Sequence, residues 1–462
     1  MIKALLLLGF TGTLLFSCQK HSDLGGGRLF LSADTLSFDT VFTTTGSITQ
    51  QVKLINPNSE GITISTISLM GGSSSPFVIN IDGSPGPNAS GLFIGANDSM
   101  YIFINVSIPK SPAPNPFIVN DSIRISYNGI EQFVRLSAWG QNAHFLKNAE
   151  ITSDTVWAND LPFVIYGGLH VDSNATLIIQ AGTHIYLHAD APIFVDGSLN
   201  LLGQSPDSLR VYFTGDRLDY PYSGYPGSWP GIYFNKSSRD NILTYASFQN
   251  GNHTLVTEGL PTDGNPKLTL NQCIINNSMG EGILSIQSSI LAVNCLLSNC
   301  GQNIVIGQGG NYQFDYCTVA SYSTRLLSHQ LPVLTVSNTA TDGNQIFTGD
   351  LTAVFTNCIF WGSQGVPDEA QIVKQGNSVF QIFFDHSILK QQNYPANIDS
   401  NALLLNTDPE FIATGVPDDQ FNFHLQAGSP ALGLGINTGI LIDLDGNSRP
   451  SSQSDLGCYE RQ

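Results

Sequence analysis

Charge is scarce in this chain. Only 12% of its 462 residues are charged, and the 18 basic against 36 acidic residues leave a net charge of −18. That balance excludes nucleic acid as a partner, because nucleic acid needs a basic surface. It also disfavours tight binding of polyanionic sugars unless a cation bridges the two. Long apolar runs are missing as well: beyond the N-terminal stretch, nothing approaches the roughly 20 apolar residues of a membrane-spanning helix. Cysteine pairs at CxxC spacing and histidines at ligand spacing are absent, which argues against zinc. What is abundant is glycine, 45 residues of it, together with Ser, Thr and Asn, the composition of β-rich proteins with many turns.

The first 18 residues, MIKALLLLGFTGTLLFSC, combine one lysine with an apolar run too short to span a bilayer. They read as a targeting segment and not as part of the fold. The Leu15-Phe16-Ser17-Cys18 ending resembles a bacterial lipobox. The resemblance implies that Cys18 is lipidated and tethers the mature chain to a membrane, with an outer-membrane location facing the periplasm or the cell surface. Residues 19–27 (QKHSDLGGG) have the composition of a flexible tether.

From 28 to 145 short alternating strands are separated by turn signals, as in Ser47–Ile55, Gly61–Leu69, Ser99–Ile108 and Ser122–Tyr127. About seven such strands predict an antiparallel β-sandwich. The series VKLINPNSEGITISTISL, PFVIN, GANDSMYIFINVSI and VRLSAWG resembles the immunoglobulin-like domains of the abnormal-spindle/hydin type, which implies a spacer or interaction module. From 146 the rhythm changes to apolar triplets, Leu169–Val171, Leu177–Ile179, Ile185–Leu187, Ile193–Val195 and Leu199–Leu201. Their interval is too tight for helices and suits three short strands per turn of a solenoid.

The cysteines set the period. Cys273, Cys295 and Cys317 stand 22 residues apart, and Cys358 follows 41 later. Ala246 and Ser387 occupy the same place in cysteine-free coils. Three residues before this centre lie Leu243, Leu270, Ala292, Phe314, Phe355 and Phe384; two after it lie Phe248, Ile275, Leu297, Val319, Phe360 and Leu389. Fixed inward rows at this period predict a parallel β-helix whose equivalent positions stack about 4.8 Å apart. Cys273, Cys295, Cys317 and Cys358 then form a buried ladder of small side chains, with disulfides as the rival reading in an oxidising compartment. The position after the centre should point outward, yet Ile274, Leu296, Ile359 and Ile388 are apolar there, so something must cover them. The 41-residue step predicts one further coil near Ser337.

These features over 146–392 resemble the right-handed parallel β-helix proteins of the pectate-lyase-like superfamily. So do Phe213–Phe234 and the tail at 393–462, a closing segment similar to the "anchor-Q" ending, with Gly457-Cys458 in place of part of the usual motif. The fold class expected is all-β, a sandwich followed by a right-handed parallel β-helix. Lyase chemistry of this superfamily needs a base and calcium, and the coils offer only Lys267, Arg325, Lys374 and Lys390. Hydrolysis needs two carboxylates roughly 5–9.5 Å apart. Asp315 and Asp385 occupy equivalent turns, but three coil steps would set them about 14 Å apart. The paired Asp, Gly-His-Gly and Arg-x-Lys motifs of polygalacturonases are missing. Catalytic residues stay unassigned.

Two stretches remain as binding candidates. Tyr220, Tyr222, Tyr225 and Trp229 crowd one Pro/Gly-rich loop, either presenting rings to sugars or partners or folding down over the solenoid. Asp443, Asp445 and Asn447 alternate as calcium ligands do, yet the stretch lacks the glycine and glutamate of a calcium loop. The alternative is an Asx-rich turn in which Asp445 or Asp455 pairs with Arg449. His184 and His188 share a strand face about 13 Å apart, too far for one metal. The expectation is a monomeric binding or structural module with no required cofactor, calcium being the one open possibility, whose partners are the membrane and a polysaccharide or surface protein. A polysaccharide lyase or hydrolase is the alternative.

Overall fold

The computed structural model describes residues 27–462 except 113–114, 343–344, 364 and 416–419. Cys18, the targeting segment and the tether up to residue 26 lie outside the described residues. The chain divides into two compact units at Gln141/Asn142.

The first unit is a sandwich of two five-stranded sheets. One sheet runs Phe30–Leu31, Gln50–Asn56, Asp98–Val106, Phe77–Ile81, Ser84–Pro85; the other runs Thr35–Phe42, Ile130–Gln141, Phe117–Tyr127, Ile62–Leu69, Asn88–Ile94. Strict alternation decides which side chains enter. In Asp98–Val106, Met100, Ile102, Ile104 and Val106 are buried while Phe103 faces solvent. Buried Asn56 pins the turn after its strand: its amide donates to the carbonyls of Glu60 and Gly95, both at 2.8 Å. On the outer face of the second sheet, Trp139 lies opposite Ile118 and is 46% exposed.

The second unit is a parallel β-helix. Twenty-six strands belong to one sheet, and every pairing within it is parallel. The triplets fall on three faces in rotation. Leu169–Val171 stacks on Ile193–Val195, Leu177–Ile179 on Leu199–Leu201, and Ile185–Leu187 on Phe213–Gly215. Farther along, Leu243, Leu270, Ala292, Phe314, Phe355 and Phe384 form one inward column, fully buried. The rings of Phe314, Phe355 and Phe384 stack at 5.4 and 4.8 Å.

Between two faces the chain must turn sharply, and it does so one residue before each ladder centre. Tyr245, Gln272, Asn294, Tyr316, Asn357 and His386 have φ of 45, 52, 51, 53, 57 and 44°. That conformation costs a non-glycine residue roughly 1–2 kcal/mol, least for Asn. It is offset because each turn residue donates its N–H to the next coil, as in Asn294 to Asp315 O (3.0 Å) and Tyr316 to Thr356 O (2.9 Å).

At the ladder centre, Ala246, Cys273, Cys295, Cys317, Cys358 and Ser387 are all buried. The six described cysteines are free thiols. The ladder thiols donate to main-chain carbonyls, as Cys273 does to Leu243 O at 3.2 Å and Cys295 to Val293 O at 3.3 Å.

The coil expected near Ser337 is not a separate coil, which corrects the spacing inferred across it. Phe314 pairs directly with Phe355, and Thr318 with Ile359. The extra length of this step is spent on a loop from Tyr322 to Val333 and on a hairpin, Thr339–Asp342 with Gln345–Thr348.

The outward stripe has its cover. Ile274, Leu296, Thr318, Ile359, Ile388 and Leu404 form one column along the coils. Phe411, Phe423, Leu425, Leu444, Leu456, Cys458 and Tyr459 of the closing segment pack onto it. The segment therefore folds along a side wall of the helix. Gly457 explains the departure in the ending motif: its φ is +84°, and a Cβ there would fall 2.5 Å from Thr318 Oγ1.

Candidate functional site

The Tyr-rich loop is held down at both ends and open in the middle. Trp229 is fully buried and donates to Gln249 O at 2.8 Å, so it anchors the loop. Arg217 grips Asp219 through two bonds of 2.7 and 2.9 Å and lies over the Tyr222 ring at 4.2 Å. This pairing raises the arginine pKa and lowers that of Asp219. Between these anchors Tyr220 and Tyr225 are 78% and 38% exposed.

Stacked asparagines fix the loop's height above the helix. Asn250, Asn277 and Asn299 all stand four residues after their ladder centres, each with positive φ. Asn250 donates to Ser223 O (2.8 Å), and Asn277 to Gly224 O (3.0 Å) and Asn250 Oδ1 (2.7 Å). Asn299 accepts the N–H of Tyr322 at 3.0 Å, seating the next loop beside them.

These elements enclose an open groove of about 370 Å³. Tyr220 and Tyr225 form one wall, Asn276, Asn277 and Asn299 the floor, Thr324-Arg325-Leu326 the second wall, and Phe421 of the closing segment one end. Among the described residues no Asp or Glu lines it. Aromatic faces, amides and one guanidinium make a surface suited to rings bearing hydroxyl groups, with polar groups to fix orientation. The sequence marked the tyrosines and Arg325 separately. It gave no reason to join residues 100 positions apart, although the Asn recurring four residues after Ala246, Cys273 and Cys295 was a usable signal.

The remaining candidates separate. Lys267 is fully buried, its ammonium bonded to the carbonyls of Asn235, Lys236 and Ser238 at 2.8, 3.1 and 2.6 Å. Burial brings its pKa down to about 8. Lys390 is similarly tied to carbonyls, and Lys374 lies 6.0 Å from the Phe380 ring. Asp315 pairs through Thr356 with Asp385, two rungs and not three. Their backbone separation is thus about 9.6 Å and not about 14 Å. Asp315 is 6% exposed and burial raises its pKa; Asp385 is bound by His386 (2.7 Å) and Asn401 (3.0 Å).

The Asp443 carboxylate is occupied by N–H donors of its own turn, Asp445 (3.0 Å) and Asn447 (2.7 Å), and by Glu460 N–H (2.9 Å). Asp445 instead meets His424 at 2.8 Å. Asp443, Asp445 and Asn447 thus lie in an Asx-rich turn whose acceptor is the Asp443 carboxylate. Arg449 does not take a carboxylate of Asp445 or Asp455. It bonds Glu460 (3.0 Å), Asn294 Oδ1 (2.9 Å) and Gly457 O (2.9 Å), and covers the Tyr316 ring at 4.0 Å. His188 pairs with Asp216 at 2.7 Å and His184 stacks on Tyr212 at 4.8 Å. No group of three or more metal-ligating side chains occurs among the described residues.

No protein-family model matches the chain, and no curated protein matches it. Among solved structures it is similar to the catalytic unit of a thermostable GH87 alpha-1,3-glucanase from Streptomyces thermodiastaticus. That match has 10% identity and a TM-score of 0.23, over 78% of this chain and 90% of the other. A family 123 glycoside hydrolase from Clostridium perfringens matches at 17% identity and TM-score 0.18, over 24% of this chain and 26% of that one. A PapD-like domain of human CEP192 matches at 9% identity and TM-score 0.18, over 29% and 97%. The chain spans about a quarter of the family 123 enzyme. Likenesses this distant carry no argument about activity, and the fold stands on the strand pairing itself.

Proposed function

We propose that this chain is a glycan-binding β-helix protein without catalysis of its own, a monomer held at a bacterial outer membrane by lipid on Cys18. One observation carries the binding reading: Tyr220 and Tyr225 stand exposed over a floor of amides, facing Arg325 across an open groove. An exposed tyrosine face without a ligand leaves apolar surface in water, whereas a sugar ring would cover it and use the amides. The resemblance of the ending and of Phe213–Phe234 to β-helix lipoproteins agrees with surface display.

Protein starting after Cys18 is expected to be retained on one or more insoluble pectic, algal or host polysaccharides, with and without Ca²⁺. Tyr220→Ala with Tyr225→Ala should weaken retention at least about tenfold. Unchanged retention in that double variant overturns the groove as the site. Loss of radiolabelled fatty acid in Cys18→Ser tests the anchor.

A second reading, a glycoside hydrolase, is favoured by the two-rung spacing of Asp315 and Asp385. A backbone spacing of about 9.6 Å leaves the two side chains to close to the roughly 6.5–9.5 Å between carboxyl groups that inversion uses, and a raised pKa on Asp315 suits a general acid. New reducing ends that disappear in Asp315→Asn would replace the first reading with this one. Unsaturated products lost in Arg325→Ala would make the chain a lyase.

A further inference from the structure

The groove's second wall is a loop, and that loop is held from beneath. The backbone N–H of His329 donates to Ser323 Oγ at 3.1 Å, closing the loop's base. Thr324 Oγ1 accepts Leu326 N–H (3.2 Å) and Leu327 N–H (2.9 Å), shaping the tip that carries Arg325. Below it the buried His329 Nε2 lies 3.0 Å from Glu369 Oε1, and the other carboxylate oxygen accepts Val333 N–H at 3.2 Å. Lys390 Nζ is 3.5 Å from the same carboxylate and donates to Gly362, Ser363 and Val366 carbonyls at 3.1, 2.5 and 2.6 Å.

This cluster is costly. The side chains of His329, Glu369 and Lys390 are 1%, 0% and 14% exposed, and His329 Nδ1 is buried without a partner. Apolar residues of the same volume often give greater stability than a buried ionic group. Gly362 keeps room for it: a Cβ there would sit 2.2 Å from Glu369 Oε1 and 2.5 Å from His329 Nε2. The coils do not need the cluster in order to stack, since Leu334–Ser337 already pairs with Ala370–Val373 along the backbone. What the three groups add is a link from the loop to the two coils that follow it.

We propose that His329, Glu369 and Lys390 are positioning residues, a buried latch that fixes Thr324–Leu326 at the height a ligand in the groove requires. A wall held in place before binding loses little conformational freedom when the ligand arrives. The ligand half of this inference rests on the groove reading; the hold on the loop does not.

Arg325 supplies the test, because trypsin cleaves after it. The full chain is digested under native conditions as wild type, Glu369→Gln, His329→Ala and His329→Gln. Cleavage after Arg325 should be at least about tenfold faster in Glu369→Gln and His329→Ala, reporting local opening. In His329→Gln it should stay within about threefold of wild type, because an amide N–H can replace Nε2 as donor to Glu369. Equal rates in all four overturn the latch, and so does equal acceleration after buried Arg210, which would mark global opening. The same proteins are then applied to a polysaccharide that retains wild type, where the two disrupting variants should lose at least about tenfold in affinity. Faster cleavage with unchanged retention overturns the positioning role. If wild type binds no polysaccharide, the groove reading fails and the cleavage rates alone decide the hold on the loop.

Discussion

Two outward columns of the β-helix began as the same problem and ended differently. Ile274, Leu296, Ile359 and Ile388 lie under the closing segment, whose Phe411, Phe423, Leu456 and Tyr459 bury them. On another face Phe194, Tyr233, Val256, Leu284 and Val305 also stack rung on rung, but Phe194 is 41% exposed and the other four are half-buried. The difference lies in the turns beside them. Next to the covered column, the turn amides of Asn294 and Asn357 donate to Ile442 O (2.7 Å) and Ile436 O (2.8 Å) of the closing segment. An apolar stripe in this fold is thus a platform only where its flanking turns supply polar anchors; the stripe alone supplies area, and the anchors supply register.

Breaking the anchors should produce the largest effect. Arg449 joins Glu460, Asn294 and Gly457 in a buried network. Arg449→Leu leaves the Glu460 carboxylate uncompensated and should cost about 3–5 kcal/mol of unfolding free energy in urea titration. A loss below about 1 kcal/mol would mean that area alone holds the segment. The comparison sharpens by placing the same residue on each stripe. Ile359→Gln, under the closing segment, should cost about 3 kcal/mol, whereas Leu284→Gln on the open stripe should cost no more than about 0.5–1 kcal/mol. Equal costs would show that the open stripe is covered in solution.

A smaller effect comes from pH. Burial pushes the Cys300 thiol from its ordinary 9.0 up to about 11 and the Cys458 thiol, on the inner side of the closing segment, up to about 12. The folded state holds these protons longer than the unfolded chain does. Their contribution is therefore complete below pH 9.0 and is lost as pH rises through about 11 to 12. Thermal melts between pH 8 and 11 should show this decline, and Cys458→Ala should flatten part of it. A melting temperature independent of pH over that range would count against buried, unpaired thiols.

Much of this architecture was legible because a stacked coil repeats its constraints. The 22-residue step and the columns through Leu270 and Ile275 specify which side chains enter, whatever the rest of the chain does. The same periodicity misled at Cys317 to Cys358. A loop and a hairpin together add about one coil's worth of residues, and spacing alone cannot separate an insertion from another rung. The groove was legible only in halves. Tyr220 and Tyr225 stood out as exposed-loop aromatics and Arg325 as a basic residue close after a ladder strand, but their meeting depends on coil stacking and on Phe421 returning from the closing segment. Of the buried trio only Lys390 stood out, as a basic residue in the coils; nothing joins it to His329 and Glu369 until the insertion is correctly placed.

The placement of the four tryptophans gives the molecule a built-in spectral label. Trp139, the sandwich's own, is 46% exposed, while Trp157, Trp229 and Trp361 of the β-helix are at most 8% exposed. Red-edge emission and its quenching by acrylamide should therefore follow the sandwich, while the blue, protected emission follows the helix. A single cuvette can watch the two units melt separately, without any dye or added label.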